Sequence, residues 1–149
     1  MEYMSNNIEF IKDLKEHIGT LSLKDVCVLL KNYNNKYNWV GIYILKEQKL
    51  VLECYVGEKT EHEVISLDSG LCSLAIVKNK IINEPDVKSN PEYLSCFAST
   101  KSELVLPIHK NGKAIGEIDI DSDTKNAFSK ADEEFMSKVA EIIAHKISK

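Results

Sequence analysis

The chain has 149 residues, of which 44% are hydrophobic and 28% are charged, and its formal net charge at pH 7 is -4. This length predicts a single compact domain over residues 1–149. Because the net charge is negative and no basic cluster occurs, nucleic acid and anionic membranes are poor candidates for a partner. Because the sequence shows neither a long apolar run nor a signal peptide, we expect a cytoplasmic protein.

The first predicted elements are two helices. Apolar residues at positions 8, 11 and 14 predict a helix that begins near Asn6 and ends near His17. Ser22 and Asp25 have the spacing of a capping box, and apolar residues follow at helical spacing, among them Cys27. A second helix is therefore expected to begin directly after Ser22.

Strands dominate the middle of the chain. Residues 39–45 and 50–56 predict two paired strands, and a short helix over residues 71–77 precedes a short strand at residues 81–82. Two further strands, 103–109 and 113–121, flank an Asn-Gly turn, and Ser129 caps a long terminal helix. Helices at both ends and hairpins between them predict an α+β fold with a mainly antiparallel sheet. The terminal helices would cover one face of that sheet, leaving a ligand pocket on the other.

The register of the last hairpin decides where its carboxyl groups lie. A two-residue loop would place Leu104 opposite Asp119 and mix apolar with acidic side chains on each face. A three-residue loop ending in a left-handed Gly112 with a G1 bulge would instead pair Leu104 with Ile118 and Glu103 with Asp119. We predict the three-residue loop, because it separates the two kinds of side chain.

That arrangement collects Glu103, Asp119 and Asp121 on one patch of the sheet. Three neighbouring carboxyls repel one another unless they are solvated, share protons or meet a cation. The patch is therefore either a wet sheet face or a site that binds an ammonium group and keeps one carboxyl protonated. The residue pattern alone leaves both open.

The four cysteines carry no zinc pattern. They form no C-x-x-C pair and no Cys/His cluster with metal spacing, so we expect no metal. Cys27 lies on an apolar helical stripe and is expected in the core, and Cys54 lies in a strand and is expected to be core or half-buried. Cys72 and Cys96 remain either structural thiols or redox groups.

Six short segments occur in order along the chain. They are N-W-V-G-I-Y (38–43), G-L-C (70–72), P-D-V (85–87), C-F-A-S (96–99), S-E-L-V-L-P (102–107) and G-E-I-D-I-D-S (116–122). Together they resemble the free methionine-(R)-sulfoxide reductases, a family with the GAF fold, from about residue 20 to the end of the chain.

The resemblance implies a role for each matching residue. Cys96 would attack the sulfoxide sulfur, and Cys72 would resolve the resulting sulfenic acid as a disulfide. The position of Cys72 at a helix N-terminus predicts a lowered pKa. The other matching residues would form the substrate site, with Glu103, Asp119 and Asp121 at the ammonium group and the sulfoxide oxygen, and Trp39, Tyr43 and Ser102 around the rest of the molecule.

The resemblance also implies partners. No cofactor would be bound, and thioredoxin, supplied by NADPH and thioredoxin reductase, would recycle the enzyme, which would be a homodimer. The chain departs from the family at His62, where a third cysteine is common, and at Tyr93 and Phe97 in the loop around Cys96. The alternative is a non-catalytic, stand-alone GAF module that binds a small ligand and whose cysteines are incidental.

Overall fold

Four α-helices and six strands are formed by the residues that the computed structural model describes, which are 2–68, 70–91, 93 and 99–147. The helices are α1 (Glu2–His17), α2 (Leu23–Tyr33), α3 (Gly70–Lys78) and α4 (Lys130–Ile147). The strands are β1 (Trp39–Lys46), β2 (Lys49–Val56), β3 (Val64–Ser66), β4 (Ile82–Glu84), β5 (Ser102–Lys110) and β6 (Lys113–Ser122), and one 3₁₀ turn spans Val87–Ser89.

The strands form one antiparallel sheet in the order β3-β2-β1-β6-β5-β4. One face packs against α1, α2 and α4 in an apolar core, and the other face packs against α3. The predicted α+β class and the placement of the terminal helices on one face are confirmed. None of the helices in the described ranges is long and apolar enough to cross a bilayer.

Serine caps fix where two of these helices begin. The backbone N–H of Ser22 donates to Asp25 Oδ2 (2.9 Å), and the N–H of Asp25 donates back to Ser22 Oγ (3.0 Å). Ser129 and Asp132 make the same reciprocal pair at the start of α4, at 2.8 and 3.3 Å. Both predicted caps are therefore confirmed.

The predicted hairpin register is wrong by two residues. Leu104 lies opposite Ile120, and Lys110 pairs with Lys113 across a two-residue loop. Gly112 is left-handed as predicted, with φ 79°, but Asn111 is left-handed too, with φ 53°, which is the pattern of a type I′ turn.

A bulge in β6 explains why the two faces still separate. His109 pairs with Ala114 and Ile108 pairs with Gly116, so Ile115 has no partner across the hairpin. This extra residue shifts the register by one and restores the alternation that a two-residue loop alone would reverse. The carboxyl groups therefore share a face, although the mechanism that places them there differs from the prediction.

Candidate functional site

Four acidic side chains line the face of β5 and β6 that packs toward α3. Glu103 lies opposite Asp121, and Asp119 and Glu117 follow at alternate positions of β6. Their exposed fractions are 5% for Glu103, 3% for Asp121, 1% for Asp119 and 0% for Glu117. The patch is thus not a wet sheet face, and the first of the two alternatives is excluded.

Glu117 is the member of this group that sequence reasoning missed. It has the same strand parity as Asp119 and Asp121, so the alternation that groups those two residues also includes Glu117. The alternation along β6 is therefore the signal in the sequence that identifies Glu117.

Helix α3 places the thiol of Cys72 over the acidic cluster formed by Glu103, Glu117, Asp119 and Asp121. Cys72 Sγ lies 3.9 Å from Glu103 Oε2, and one ligand atom each of Cys72, Glu103 and Asp119 lie within 4.8 Å of one another. Gly70 begins the helix with φ 87°, a backbone conformation that glycine adopts without strain. The predicted meeting of Cys72 with the carboxyls is therefore found in the structure.

Several oxygens of the cluster receive no hydrogen bond from the described residues. They are both carboxylate oxygens of Glu117, Oδ1 of Asp119 and Oδ1 of Asp121. Buried polar atoms without a partner are rare, because each forfeits its hydrogen bonds to water. These oxygens point to a ligand that brings hydrogen-bond donors or positive charge.

Burial raises the pKa of all three acids on β6. The pKa values of Glu117 and Asp121 lie well above the ordinary value, because burial disfavours the charged form and the charge of Asp119 adds to it. The pKa of Asp119 is raised less, since burial is opposed by hydrogen bonding with Glu103 and Cys72 and by the charge of His62. The cluster therefore retains protons at a pH where surface carboxyls are ionised.

The predicted lowering of the Cys72 pKa is wrong. Burial raises the pKa of this thiol well above its ordinary value, and three nearby carboxylates raise it further. Those carboxylates belong to Asp119, Glu117 and Glu103. The N-terminus of one short helix is outweighed by desolvation and by several negative charges, so Cys72 is a protonated thiol in the free protein.

Two aromatic side chains of β1 flank the acidic cluster. Trp39 lies opposite Asp121 and Tyr43 lies opposite Glu117 across the β1–β6 pair. The indole ring covers Gly41, where an added Cβ would lie 2.3 Å from a ring carbon, so this position requires glycine. The predicted placement of both aromatics beside the carboxyls agrees with this geometry, and their contact with substrate stays a prediction.

The polar ends of both rings are held by the segment between β2 and β3. Trp39 Nε1–H donates to the carbonyl of Glu58 (3.0 Å), and the Tyr43 hydroxyl donates to the carbonyl of His62 (2.8 Å). His62, the residue at the position of the family's third cysteine, thus lies on the backbone that orients Tyr43.

Ser102 does not join the cluster. It precedes Glu103 on β5 and lies on the opposite face, where its Oγ donates to the carbonyl of Thr124 (2.6 Å) and accepts from the N–H of Ala127 (3.4 Å). Its hydroxyl fixes the loop before α4, and the predicted substrate contact has no support in this geometry.

Cys96 lies outside the described residues, so its position relative to Cys72 stays a prediction. The residues that flank the gap around it lie on the acidic side of the sheet. Tyr93 packs against the apolar residues around α3, and a cavity of about 60 Å³ beside Asp121 is lined by Ser99 and Thr100.

Cys72, Glu103 and Asp119 could also hold a metal ion. A thiolate with two carboxylates is a donor set that Zn²⁺ accepts. Cysteine spacing gives no sign of this group, because its members come from three different elements. The same anionic oxygens suit an ammonium group equally well.

Comparison with known proteins gives consistent matches. Residues 12–147 match the family model described as GAF domain. Free methionine-R-sulfoxide reductase of Escherichia coli (strain K12) is 30% identical over 138 residues, which is 87% of this chain and 83% of that protein.

Solved structures agree in fold. The type II free methionine-R-sulfoxide reductase from Thermoplasma acidophilum is 52% identical with a TM-score of 0.82, covering 91% of this chain and 93% of that chain. The fRMsr of Staphylococcus aureus in complex with substrate is 28% identical with a TM-score of 0.86, covering 95% of each chain. The GAF fold that the sequence motifs imply is confirmed.

Proposed function

We propose that this chain, which belongs to the free methionine-R-sulfoxide reductase family of GAF-domain proteins, reduces free L-methionine-(R)-sulfoxide with its own cysteine thiols. The observation that carries the proposal is the group of buried carboxyl oxygens around Cys72 that receive no hydrogen bond from the part of the chain that the structure describes. A thiol-dependent reduction of this kind needs a thiol and an acid at one place, and here the thiol of Cys72 lies beside the acidic cluster.

The carboxyls explain why the substrate would be a free amino acid. An α-ammonium group carries one positive charge and three donors, which would satisfy oxygens of Asp119 and Asp121. In a peptide that nitrogen is a neutral amide with a single donor. A buried charge that loses its partner is penalised by roughly 3–5 kcal/mol, so peptide-bound sulfoxide would be a poor substrate.

The chemical step would use Cys96 as the nucleophile. Its thiolate attacks the sulfoxide sulfur and forms a bond between the two sulfurs. The protonated oxygen then passes to the Cys96 sulfur as the S–O bond breaks, and the bond between the two sulfurs breaks as methionine leaves, which leaves Cys96 as a sulfenic acid. The departing oxygen needs a proton in this step. The raised pKa values of Glu117 and Asp121 favour their protonated forms, which can supply this proton.

Cys72 would then resolve the sulfenic acid. Its sulfur attacks that of Cys96, a disulfide forms and water leaves with the thiol proton. Because Cys72 is protonated in the free protein, a base must assist, and the Glu103 carboxylate at 3.9 Å is placed to do so. Thioredoxin would reduce the disulfide with electrons from NADPH, and no bound cofactor is required.

The family's homodimer would form through the N-terminal helices. In support, Ile8 on α1 is 64% exposed, and Val28 and Leu29 on α2 are 37% and 41% exposed. Light scattering should give twice the monomer mass, whereas Ile8→Glu should shift the protein toward the monomer.

The test of substrate is a coupled assay that follows NADPH consumption with thioredoxin and thioredoxin reductase. The R and S epimers of free methionine sulfoxide are compared with the N-acetylated R epimer. We expect turnover of the free R epimer and a kcat/KM at least about a hundredfold lower for the N-acetylated form, which corresponds to about 3 kcal/mol. Equal kcat/KM for both forms contradicts the ammonium assignment.

The roles of the two cysteines are tested separately. Cys96→Ser should release no methionine even in a single turnover. Cys72→Ser should release about one methionine per subunit and then stop, because the sulfenic acid has no intramolecular partner. Tight binding of methionine sulfoxide by the wild type without any methionine release would instead favour the non-catalytic GAF module.

A further inference from the structure

Two other cysteines meet on the side of the sheet away from the acidic cluster. Cys27 of α2 and Cys54 of β2 lie with their Sγ atoms 3.9 Å apart. Both pack in or against the apolar core under the terminal helices. Neither thiol has a role in the proposed reductase cycle, and both are free.

The two thiols differ in exposure. Cys27 is fully buried, whereas Cys54 is half-buried and lines a surface groove together with Lys24 and Glu53. The Lys24 ammonium contacts the carbonyl of Tyr55 and lies 5.4 Å from the centroid of its ring, so a cation is held at the residue after Cys54. A small reagent can therefore approach Cys54 but not Cys27.

The pKa values of the two thiols differ in the same sense as their exposure. The hydrogen bond from Cys27 lowers the pKa of Cys54, and the charge of Lys24 acts in the same direction, against burial and the charge of Glu53. The same hydrogen bond, together with burial, raises the pKa of Cys27. The accessible thiol is thus the better nucleophile, and the buried thiol is the proton donor beside it.

We propose that Cys27 and Cys54 form a second redox site, which a hydroperoxide oxidises to an intramolecular disulfide. The sulfur separation is a contact distance, and closing it to the roughly 2.05 Å of a disulfide needs a shift of under 2 Å, within the reach of side-chain rotation. This site is independent of the reductase function and lies on the other face of the sheet.

The chemistry balances with the hydroperoxide as the only oxidant. The Cys54 thiolate attacks the terminal peroxide oxygen, the O–O bond breaks, and the alkoxide or hydroxide leaves with a proton. Cys27 then attacks the sulfur of the Cys54 sulfenic acid, the S–S bond forms, the S–O bond breaks and water leaves. Two thiols lose two electrons in total, and one hydroperoxide is reduced.

The disulfide would join α2 to β2 and restrict the chain between them. A cross-link of this kind lowers the entropy of the unfolded chain, so the oxidised protein should melt at a higher temperature than the reduced protein. A protein that meets oxidants would thereby become more resistant to unfolding when peroxide is present.

The experiment uses a full-length Cys72→Ser, Cys96→Ser double variant, in which Cys27 and Cys54 are the two remaining cysteines. The protein is treated with equimolar hydrogen peroxide, and thiols are counted under denaturing conditions alongside intact mass and peptide mapping. We expect both thiols to disappear together, a mass loss of two hydrogen atoms, a Cys27–Cys54 cross-linked peptide and full recovery with a dithiol reductant.

The matched control adds Cys54→Ser to the same background, which leaves Cys27 alone. Its buried thiol should survive the same treatment. Persistence of both thiols in the double variant overturns the proposal, and so does oxidation of Cys54 to sulfinic acid with Cys27 unchanged.

Peptide mapping of the oxidised wild type gives a second measurement if the double variant folds poorly. A Cys27–Cys54 peptide supports the proposal whether or not a Cys72–Cys96 peptide is also found. Its absence overturns the proposal even if the reductase assay succeeds, so the two failures are distinguishable.

Discussion

The two faces of the β5–β6 hairpin are buried to the same degree and hold opposite chemistry. On the face toward α4, Leu104, Leu106 and Ile118 pack in the main apolar core. On the face toward α3, Asp119 and its acidic neighbours are equally shielded from water. Burial of the first face stabilises the fold, whereas burial of the second opposes it, because removing carboxylates from water costs free energy.

The contrast separates the residues that stabilise the fold from the residues that we propose act on the substrate. A sheet selected for stability alone would place apolar residues on both sides. The acidic face is tolerated because α3 and the aromatic residues of β1 close over it, and the main core supplies the stability that it lacks. Substitutions on the two faces should therefore have opposite effects on stability and activity.

The largest effect on stability is expected on the apolar face. Leu106→Ala removes a fully buried side chain next to Ile118 and should lower the free energy of unfolding by about 2–5 kcal/mol. For a chain of this size each kcal/mol shifts Tm by about 2–4 °C. Thermal melts should show this loss while kcat/KM per folded molecule stays near the wild-type value. A large loss of kcat/KM without a loss of Tm would contradict the assignment of this face to stability.

Asp119→Asn should show the reverse behaviour. Asp119 lies at the centre of the acidic row and within the group that includes the Cys72 sulfur. We expect kcat/KM for free methionine sulfoxide to fall at least about a hundredfold, or about 3 kcal/mol, with Tm unchanged or raised. Asp123→Asn, an exposed acid at the end of β6, is the matched control and should alter neither quantity.

Glu117→Gln should change the pH dependence of stability. The native pKa of Glu117 is raised, so between its unfolded pKa near 4 and its native pKa the folded state binds more protons than the unfolded state. This group therefore makes the wild type less stable as pH rises through that range. The Glu117→Gln variant has no ionisable group at this position, so it lacks this loss of stability at higher pH.

We expect the Tm of Glu117→Gln to exceed the wild-type Tm at pH 8 by more than at pH 5. Calorimetry should resolve this difference, because only the wild type has a buried Glu117 carboxyl whose ionisation at higher pH opposes folding. Parallel Tm profiles for the two proteins between pH 5 and pH 8 would show that Glu117 does not retain a proton.

The smallest effect concerns the two-residue turn of this hairpin. Gly112 has φ 79° with open space around the position of a Cβ, so Gly112→Ala pays only for the left-handed backbone, about 1–2 kcal/mol. Gly19→Ala is the control, because Gly19 also has open space but no positive φ. Denaturant unfolding should show a loss for the first variant and none for the second.

Local patterns predicted most of this structure. The serine caps, the strands and the shared face of three carboxyls follow from spacing along the chain, and the structure confirms them. β3 was not predicted, because its single buried residue stands between two exposed ones and forms no apolar run.

The errors arose where a distant part of the fold decides the outcome. No residue pattern predicts the bulge at Ile115. The predicted register was therefore wrong by two residues, although each residue was assigned to the correct face of the sheet. The pKa of Cys72 was predicted from its helix alone, whereas the carboxyls that raise it come from β5 and β6. The substrate roles of Ser102 and Cys96 stay predictions, and the strand parity of Ser102 is opposite to that of Glu103.

The bulge at Ile115 has a consequence for insertions and deletions in this hairpin. Removing Ile115 alone takes out the unpaired residue, so the pairs Ile108–Gly116 and Leu104–Ile120 are kept in a ladder without a bulge. Removing Ile118 instead would bring Asp119 opposite Leu106 and turn the carboxyls beyond it into the apolar core. A one-residue deletion in β6 should therefore be tolerated at Ile115 and should damage fold and site together at a paired position such as Ile118.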